Sequence, residues 1–257
     1  MYVVSPPDRG ESMPVDQLNK CLAGAAPPKD CRGTNRRSYY GQLGRATLED
    51  AWPTWRFGPR FGTPYPDSQF PSLPLKENYV QQFGASFVPY LGTSDIAMVD
   101  NVVMNDLTAA SLKALLVRIG PSVIVLHSAA GTAGFAVAES DPALVKAIVA
   151  IETTKCPKAA PSGLPPLAKT PFIGVWGDHI TQQSPGGHWD RRESCEQMAA
   201  AITRVGRAPA TVVSLPESGI RGNSHMMMQD RNNAQILRII TQWLTANGIS
   251  TGTGNSG

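Results

Sequence analysis

A chain of 257 residues with 42% hydrophobic content has the length of one large α/β domain or two small ones and the material for a sizeable core. Its formal charge of +3 is the balance of 23 basic and 20 acidic residues, with no basic run beyond Arg36-Arg37 and Arg191-Arg192, so a nucleic-acid partner is not expected. No apolar run approaches the roughly 20 residues that span a bilayer, and the N-terminus lacks the basic-then-apolar order of a signal peptide.

In chain order, Met1 to Val4 predicts a short strand, and Ser5-Pro-Pro-Asp-Arg-Gly-Glu-Ser12 is turn chemistry. From residue 13 to about residue 100 the sequence is irregular, rich in proline and in aromatics that include Trp52, Trp55, Phe57, Phe61, Tyr65, Phe70 and Phe83. Such a long segment has two uses. The aromatics hold an irregular insertion together, or they form a lid over an apolar acyl or aryl pocket in which Trp52 and Trp55 touch substrate. Asp106 to Ile119 then predicts a helix, with Asp106 as cap, a stripe of Leu107, Leu112, Leu115, Leu116 and Ile119, and Gly120 as stop.

The run Val123-Ile-Val-Leu126 is too short and too β-branched for a helix, and its unbroken apolarity fits a strand covered on both faces. His127 and Ser128 follow, then only small residues: Ala129, Ala130, Gly131, Ala133 and Gly134. Small side chains let a helix start tightly against a sheet, as a serine lifted out on a strained turn requires. An ordinary βα junction with an N-capping serine would read the same way. Further strands are predicted over residues 146–152, 171–178 and 210–215, with helices over 194–205 and 229–246. Strands alternating with helices define a doubly wound, mostly parallel sheet, here a single domain over residues 1–247 with a Gly-, Ser-, Thr- and Asn-rich tail over 248–257.

Active groups in such a sheet collect at the carboxyl ends of the strands. Ser128 follows one strand, Glu152 ends the next, Asp178 ends the one after, and His225 lies in the loop before the last helix. A serine hydroxyl is a weak nucleophile until an imidazole takes its proton, and an acid must fix the imidazole tautomer, so these types in this order suit nucleophilic catalysis. His127 is expected to line the pocket or pack under the loop, and His179 and His188 to lie at the surface. No metal is expected, because the histidines lack ligand spacing.

The order serine, acid, histidine resembles the α/β-hydrolases. Three strings, His127-Ser-Ala-Ala-Gly131, Ile148-Val-Ala-Ile-Glu152 and Gly222-Asn-Ser-His225, resemble the bacterial esterases of the Alcaligenes esterase 713 type, closely from about Asn105 to Leu244. That resemblance implies an α/β-hydrolase fold and a carboxylesterase acting on a small-molecule ester through an acyl-serine, with Ser128 as nucleophile, His225 as base, Glu152 as acid and no cofactor. The backbone N–H of Ala129 would hold the oxyanion. Asp178 is the alternative acid, although it follows Gly177 directly where the superfamily sets two residues between. Residues 1–12 resemble the fourth strand and loop of the family rather than the first, and no His-Gly string precedes Ser128 to supply the far half of an oxyanion hole. First strands are therefore expected to be missing. The rival readings are an impaired or fragmentary relative that binds a small apolar ligand, and a thioesterase or lactonase.

Cys21, Cys31, Cys156 and Cys195 have no C-x-x-C spacing. They are four thiols or two disulfides, the pairs then being Cys156 with Cys195 and Cys21 with Cys31. The compartment stays open, and an extracytoplasmic one is expected if the cysteines pair and a segment precedes Met1.

Overall fold

The computed structural model describes residues 47–71, 80, 83–84, 95–158 and 165–250, the backbone of two short strands near residues 43 and 90, and Tyr2. The strand expected at residues 1–4 with its loop, much of the insertion, Cys21, Cys31 and the tail beyond residue 250 lie outside the described residues. The short strands are β1 (Leu43–Gly44) and β2 (Tyr90–Leu91), paired antiparallel.

The centre of the fold is a parallel sheet in the order β3 (Ser122–His127), β4 (Val145–Ile151), β5 (Phe172–Trp176), β6 (Ala210–Ser214). Both faces of the central strands β4 and β5 are covered, as their unbroken apolar runs require, and the period of two sorts the side chains between them. Strand β3, expected to be covered on both faces, lies at the edge of the described sheet and leaves Val125 63% exposed. Ile148 and Ala150 of β4 and Phe172 and Trp176 of β5 join one core with Leu116, Phe135, Met198 and Ile202. Ala147, Val149 and Ile151 with Ile173 and Val175 join the other, closed by Ile236, Ile240 and Leu244. The first face carries α2 (Asp95–Ile119), α3 (Gly131–Ser140) and α4 (His188–Val205), and the second carries α5 (Asn233–Ala246). This is the doubly wound α/β arrangement expected.

Two helices start earlier than the sequence signals indicated. Helix α2 begins at Asp95, so Asp106 is interior and caps nothing. No glycine or proline stands between residues 95 and 119 to interrupt it. Helix α4 begins at His188, after Gly186 and Gly187 turn the chain at φ +87° and +64°. Helix α5 begins four residues late, because residues 225–232 are spent on turns.

Within the insertion, α1 (Leu48–Thr54) is capped by Thr47, whose hydroxyl accepts from the Asp50 N–H at 3.2 Å. The aromatics that follow pack on one another. Trp52, Phe57, Phe70 and Phe83 are buried, with Phe57 stacked on Phe70 at 3.7 Å. The segment is also tied to the loop before α5: the N–H of Gln69 donates to Gly222 O at 2.8 Å and that of Arg231 to Gln69 O at 2.9 Å. The described aromatics therefore form a small core that buttresses this loop.

Candidate active site

The carboxyl end of β3 delivers Ser128 at φ +50°, a left-handed conformation that serine rarely adopts. The small residues beyond it have a steric reason. A Cβ on Gly131 would lie 1.9 Å from Thr153 Oγ1, and one on Gly134 would lie 2.4 Å from a methyl of Leu126. Helix α3 thus presses against both the loop after β4 and the strand that carries the serine. The carbonyl of Ser128 accepts from the Thr154 N–H at 3.1 Å, which fixes the turn. Ser128 is half-buried, and Ala129 after it is exposed.

Glu152 follows β4 at φ +38° and is fully buried, and His225 is 2% exposed. His225 Nε2 is 3.1 Å from Ser128 Oγ, and its Nδ1 is 2.8 Å from Glu152 Oε2. With Nδ1–H donating to the carboxylate, Nε2 presents its lone pair to the serine hydroxyl. The structure thus joins the three residues singled out in the sequence into one hydrogen-bonded chain, spanning 97 positions from serine to histidine. Burial alone would push the Glu152 carboxyl up, but the Arg56 guanidinium and the His225 bond overcome it and hold the carboxyl well below the usual carboxylate range.

The loop Gly222-Asn-Ser-His225 is held from several sides. Asp230, buried, accepts from the Asn223 amide at 2.9 Å, from the Ser224 N–H at 2.8 Å and from the Ser224 hydroxyl at 2.8 Å. Burial pushes its carboxyl up against those bonds. Gly222 sits at φ +76° where a Cβ would meet Asp67 O at 1.7 Å. The N–H of His225 itself donates to Trp55 O at 2.9 Å.

Asp178, the alternative acid, does not face His225. Its Oδ1 accepts from the His179 N–H at 2.7 Å and its Oδ2 from the Gly222 N–H at 3.0 Å, so it organises the loop that carries the histidine. His127 packs under that loop, its Nε2 3.0 Å from the His225 carbonyl. Burial and the nearby His225 lower it to about 4, so a neutral ring donates Nε2–H. Trp52 is sealed in the aromatic core with its indole N–H on Thr63 O, whereas the Trp55 ring stands 6.4 Å from that of His225. Of the two tryptophans, Trp55 is the one beside His225.

Two residues beside Glu152 escaped the sequence reading. His188, expected at the surface, is 1% exposed, with Nδ1 3.5 Å from Glu152 Oε2 and Nε2 3.1 Å from Thr54 O. Burial and Arg56 lower it to about 3, so the ring is neutral. Arg56 is 1% exposed and donates Nη2 to Glu152 Oε1 and Nε to Asp178 O, the latter at 2.8 Å. Its signal was a lone cation within Trp52-Pro-Thr-Trp-Arg-Phe57, a string with no other charge. His179 is partly buried, stacked on Tyr65 at 3.7 Å and 3.0 Å from Asp67.

Among the described residues, Glu152, His188 and His225 bring potential metal-ligand atoms within 4.8 Å of one another, as do Asp67, Asp178 and His179. In the first group the Arg56 guanidinium already occupies Glu152, and in the second both Asp178 oxygens are taken by backbone N–H groups. Cys156 and Cys195 form a disulfide that ties the loop after β4 to α4. No helix among the described residues is long and apolar enough to cross a membrane.

A serine on a strained strand-to-helix turn, an acid just after the next strand and a histidine in the loop between the last strand and the last helix of a parallel sheet define the α/β-hydrolase arrangement. The comparisons agree. The chain is similar to a bacterial esterase of known structure, with 30% identity and a TM-score of 0.67 over 86% of this chain and 67% of the esterase. It is also 25% identical over 195 residues to the probable secreted lipase phiG of a fungal species (strain ATCC 74256), covering 56% of this chain. No family profile matches the sequence. The chain belongs to the α/β-hydrolase superfamily, in the branch of that bacterial esterase. It spans about 51% of the lipase and about 67% of the esterase.

Proposed function

We propose that the protein is a serine carboxylesterase working through an acyl-serine intermediate. The observation that carries the reading is the continuous chain Ser128 Oγ, His225 Nε2, His225 Nδ1 and Glu152 Oε2, with separations of 3.1 and 2.8 Å. Ser128 Oγ attacks the ester carbonyl as His225 Nε2 takes its proton, and Glu152 stabilises the imidazolium that forms. The same proton passes to the leaving alcohol. Water, deprotonated by His225, then releases the acid and restores Ser128. The N–H of Ala129, at the exposed start of the turn after the serine, is suited to one oxyanion bond.

An apolar acyl or aryl group suits the Trp55 side of the site, with His127 alongside. The names of the two relatives, an esterase and a lipase, support an ester substrate, and the Cys156–Cys195 disulfide supports an oxidising, extracytoplasmic compartment. The test is labelling with a fluorophosphonate, which needs an activated serine and depends little on the natural substrate. The wild-type chain is expected to label and the Ser128→Ala variant to remain unlabelled with unchanged circular dichroism. Labelling that persists in the variant refutes the assignment.

A further inference from the structure

We propose that Arg56, brought in by the insertion, is a positioning residue of this site: it holds Glu152 in place and shares the charge of its carboxylate, and so limits how strongly Glu152 draws a proton onto His225. The proposal depends on the roles just given to Ser128, His225 and Glu152.

The two oxygens of Glu152 are used differently. Oε2 serves His225 Nδ1 at 2.8 Å, whereas Oε1 accepts from the Gly177 N–H at 2.8 Å and from Arg56 Nη2. The guanidinium cannot swing, because Nε is held on Asp178 O at 2.8 Å. A planar fork that meets two acceptors at once is something an ammonium cannot reproduce. The backbone around it is strained as well: Arg56 lies at φ +60°, in a turn closed by the Phe57 N–H on Trp52 O at 3.0 Å. A buried ion pair by itself is weak support for stability, since an apolar pair of the same volume often does as well. An arginine carried in a strained turn through an aromatic core to one oxygen of Glu152 therefore needs a chemical reason.

Electrostatics supplies one. A buried carboxylate whose principal partner is an imidazole favours the carboxylate–imidazolium state, in which the imidazole has no lone pair for the serine. A second, permanent cation on the carboxylate opposes that state. The charged or titratable groups facing Glu152 are Arg56 from the insertion, His225 from the loop before α5, His188 and Arg191 from α4, and His127 from the end of β3; Asp230 lies behind the loop. His127 and His188 are held neutral by burial. Arg56 is the cation in direct contact with the carboxylate.

The experiment compares the wild-type chain with Arg56→Lys, Arg56→Gln and Arg56→Met. It measures kcat/KM for p-nitrophenyl acetate from pH 5 to 9, normalised to serines titrated by fluorophosphonate. Loss of the cation in Arg56→Gln and Arg56→Met is expected to move the acid limb up by about one pH unit and to lower kcat more than it alters KM. Arg56→Lys is expected to hold the limb in place while losing several-fold in kcat. If Arg56→Met does not fold, Arg56→Gln, which retains donors for Glu152, must show the same displacement. A limb that stays put in the neutral variants, or moves equally in the lysine variant, overturns the proposal alone. A wild-type chain that neither labels nor turns over ester overturns the underlying reading, and the proposal falls with it.

Discussion

Glu152→Gln separates the tautomer role proposed for Glu152 from its place in the fold. In the wild type, Oε1 accepts from Gly177 N and Arg56 Nη2, and Oε2 accepts from His225 Nδ1. A glutamine has one oxygen, and two fixed donors claim it. Its NH2 then faces Nδ1 and forces the imidazole to accept there, so that Nε2 carries the proton and cannot take one from Ser128. Loss of the correct tautomer in the analogous serine enzymes lowers kcat by about 10⁴-fold. The same change strands the Arg56 charge, which is 1% exposed, and breaking a buried pair by removing one partner costs about 3–5 kcal/mol. The variant should therefore lose turnover by about four orders of magnitude and unfold at a temperature lower by on the order of 10 °C. Adding Arg56→Met should recover much of the stability and none of the rate. Asp178→Asn, whose carboxylate serves backbone N–H groups only, should act mainly on loop order and stability. Ester turnover and thermal unfolding measured on all four proteins decide it. Glu152→Gln retaining more than a tenth of wild-type turnover while Asp178→Asn loses most of it would refute the reasoning and move the acid to Asp178.

Removing the Cys156–Cys195 disulfide frees a loop with a sequence separation of 39 residues, for which the chain-entropy relation gives about 4 kcal/mol; paired serines should lower the unfolding midpoint in denaturant accordingly, and an unchanged midpoint contradicts it. Gly131→Ala would put a Cβ 1.9 Å from Thr153 Oγ1 and 2.4 Å from Thr154 Oγ1, so it should disturb the serine turn and reduce fluorophosphonate labelling at least tenfold (about 1.4 kcal/mol), whereas Ala138→Gly, remote from the turn, should label at the wild-type rate. His127 and His188 are lowered to about 4 and about 3 from an ordinary value of 6.5. The unfolded chain therefore binds protons that the folded one refuses. Their contribution to stability is present above pH 6.5 and is lost as the pH falls from there toward 4, by at most about 1.4 kcal/mol per pH unit for each ring. Asp230, pushed up by burial, works in the opposite sense near the bottom of that range. Urea unfolding between pH 7.5 and 4.5 measures the slope, and His188→Asn should flatten it; a slope unchanged by that substitution would count against the assignment.

The elements legible in the sequence were those written in local pattern. Strand β4 shows β-branched continuity, the helix after Ser128 shows a run of small residues, and Gly222-Asn-Ser-His225 sits in the slot before the final helix. Each signal arises from a short-range need: burial on both faces, close approach at Gly131 and Gly134, and a turn at positive φ. What could not be read depends on the packing of distant segments. Arg56 meets Glu152 across 96 positions and His188 meets Thr54 across 134, and neither residue carries a periodic or capping signature. His188 looked like a surface histidine because it follows Ser184-Pro-Gly-Gly187, a turn. That turn starts α4 and aims the ring inward. Asp178 drew attention as an acid at a strand end, a property shared by a reacting carboxylate and a loop organiser; only the direction of its two oxygens separates them.

The described part of the insertion also constrains how substrate enters. If residues 52–70 opened as a lid, the bonds from His225 N to Trp55 O, from Gln69 N to Gly222 O and from Arg231 N to Gln69 O would break together, along with Arg56 on Glu152. Opening would therefore loosen the histidine loop and take the Arg56 cation from Glu152, which would keep the Gly177 N–H. Of the five described non-glycine residues at positive φ, four, Arg56, Ser128, Glu152 and His179, gather at these strand ends. Strain of that kind costs about 1–3 kcal/mol per residue and persists only where the surroundings over-determine the conformation. Here the determination comes jointly from the sheet and from the described part of the insertion. At the reacting end of this arrangement Ser128 is half-buried and Ala129 exposed, on a turn held by the Thr154 N–H rather than by the insertion.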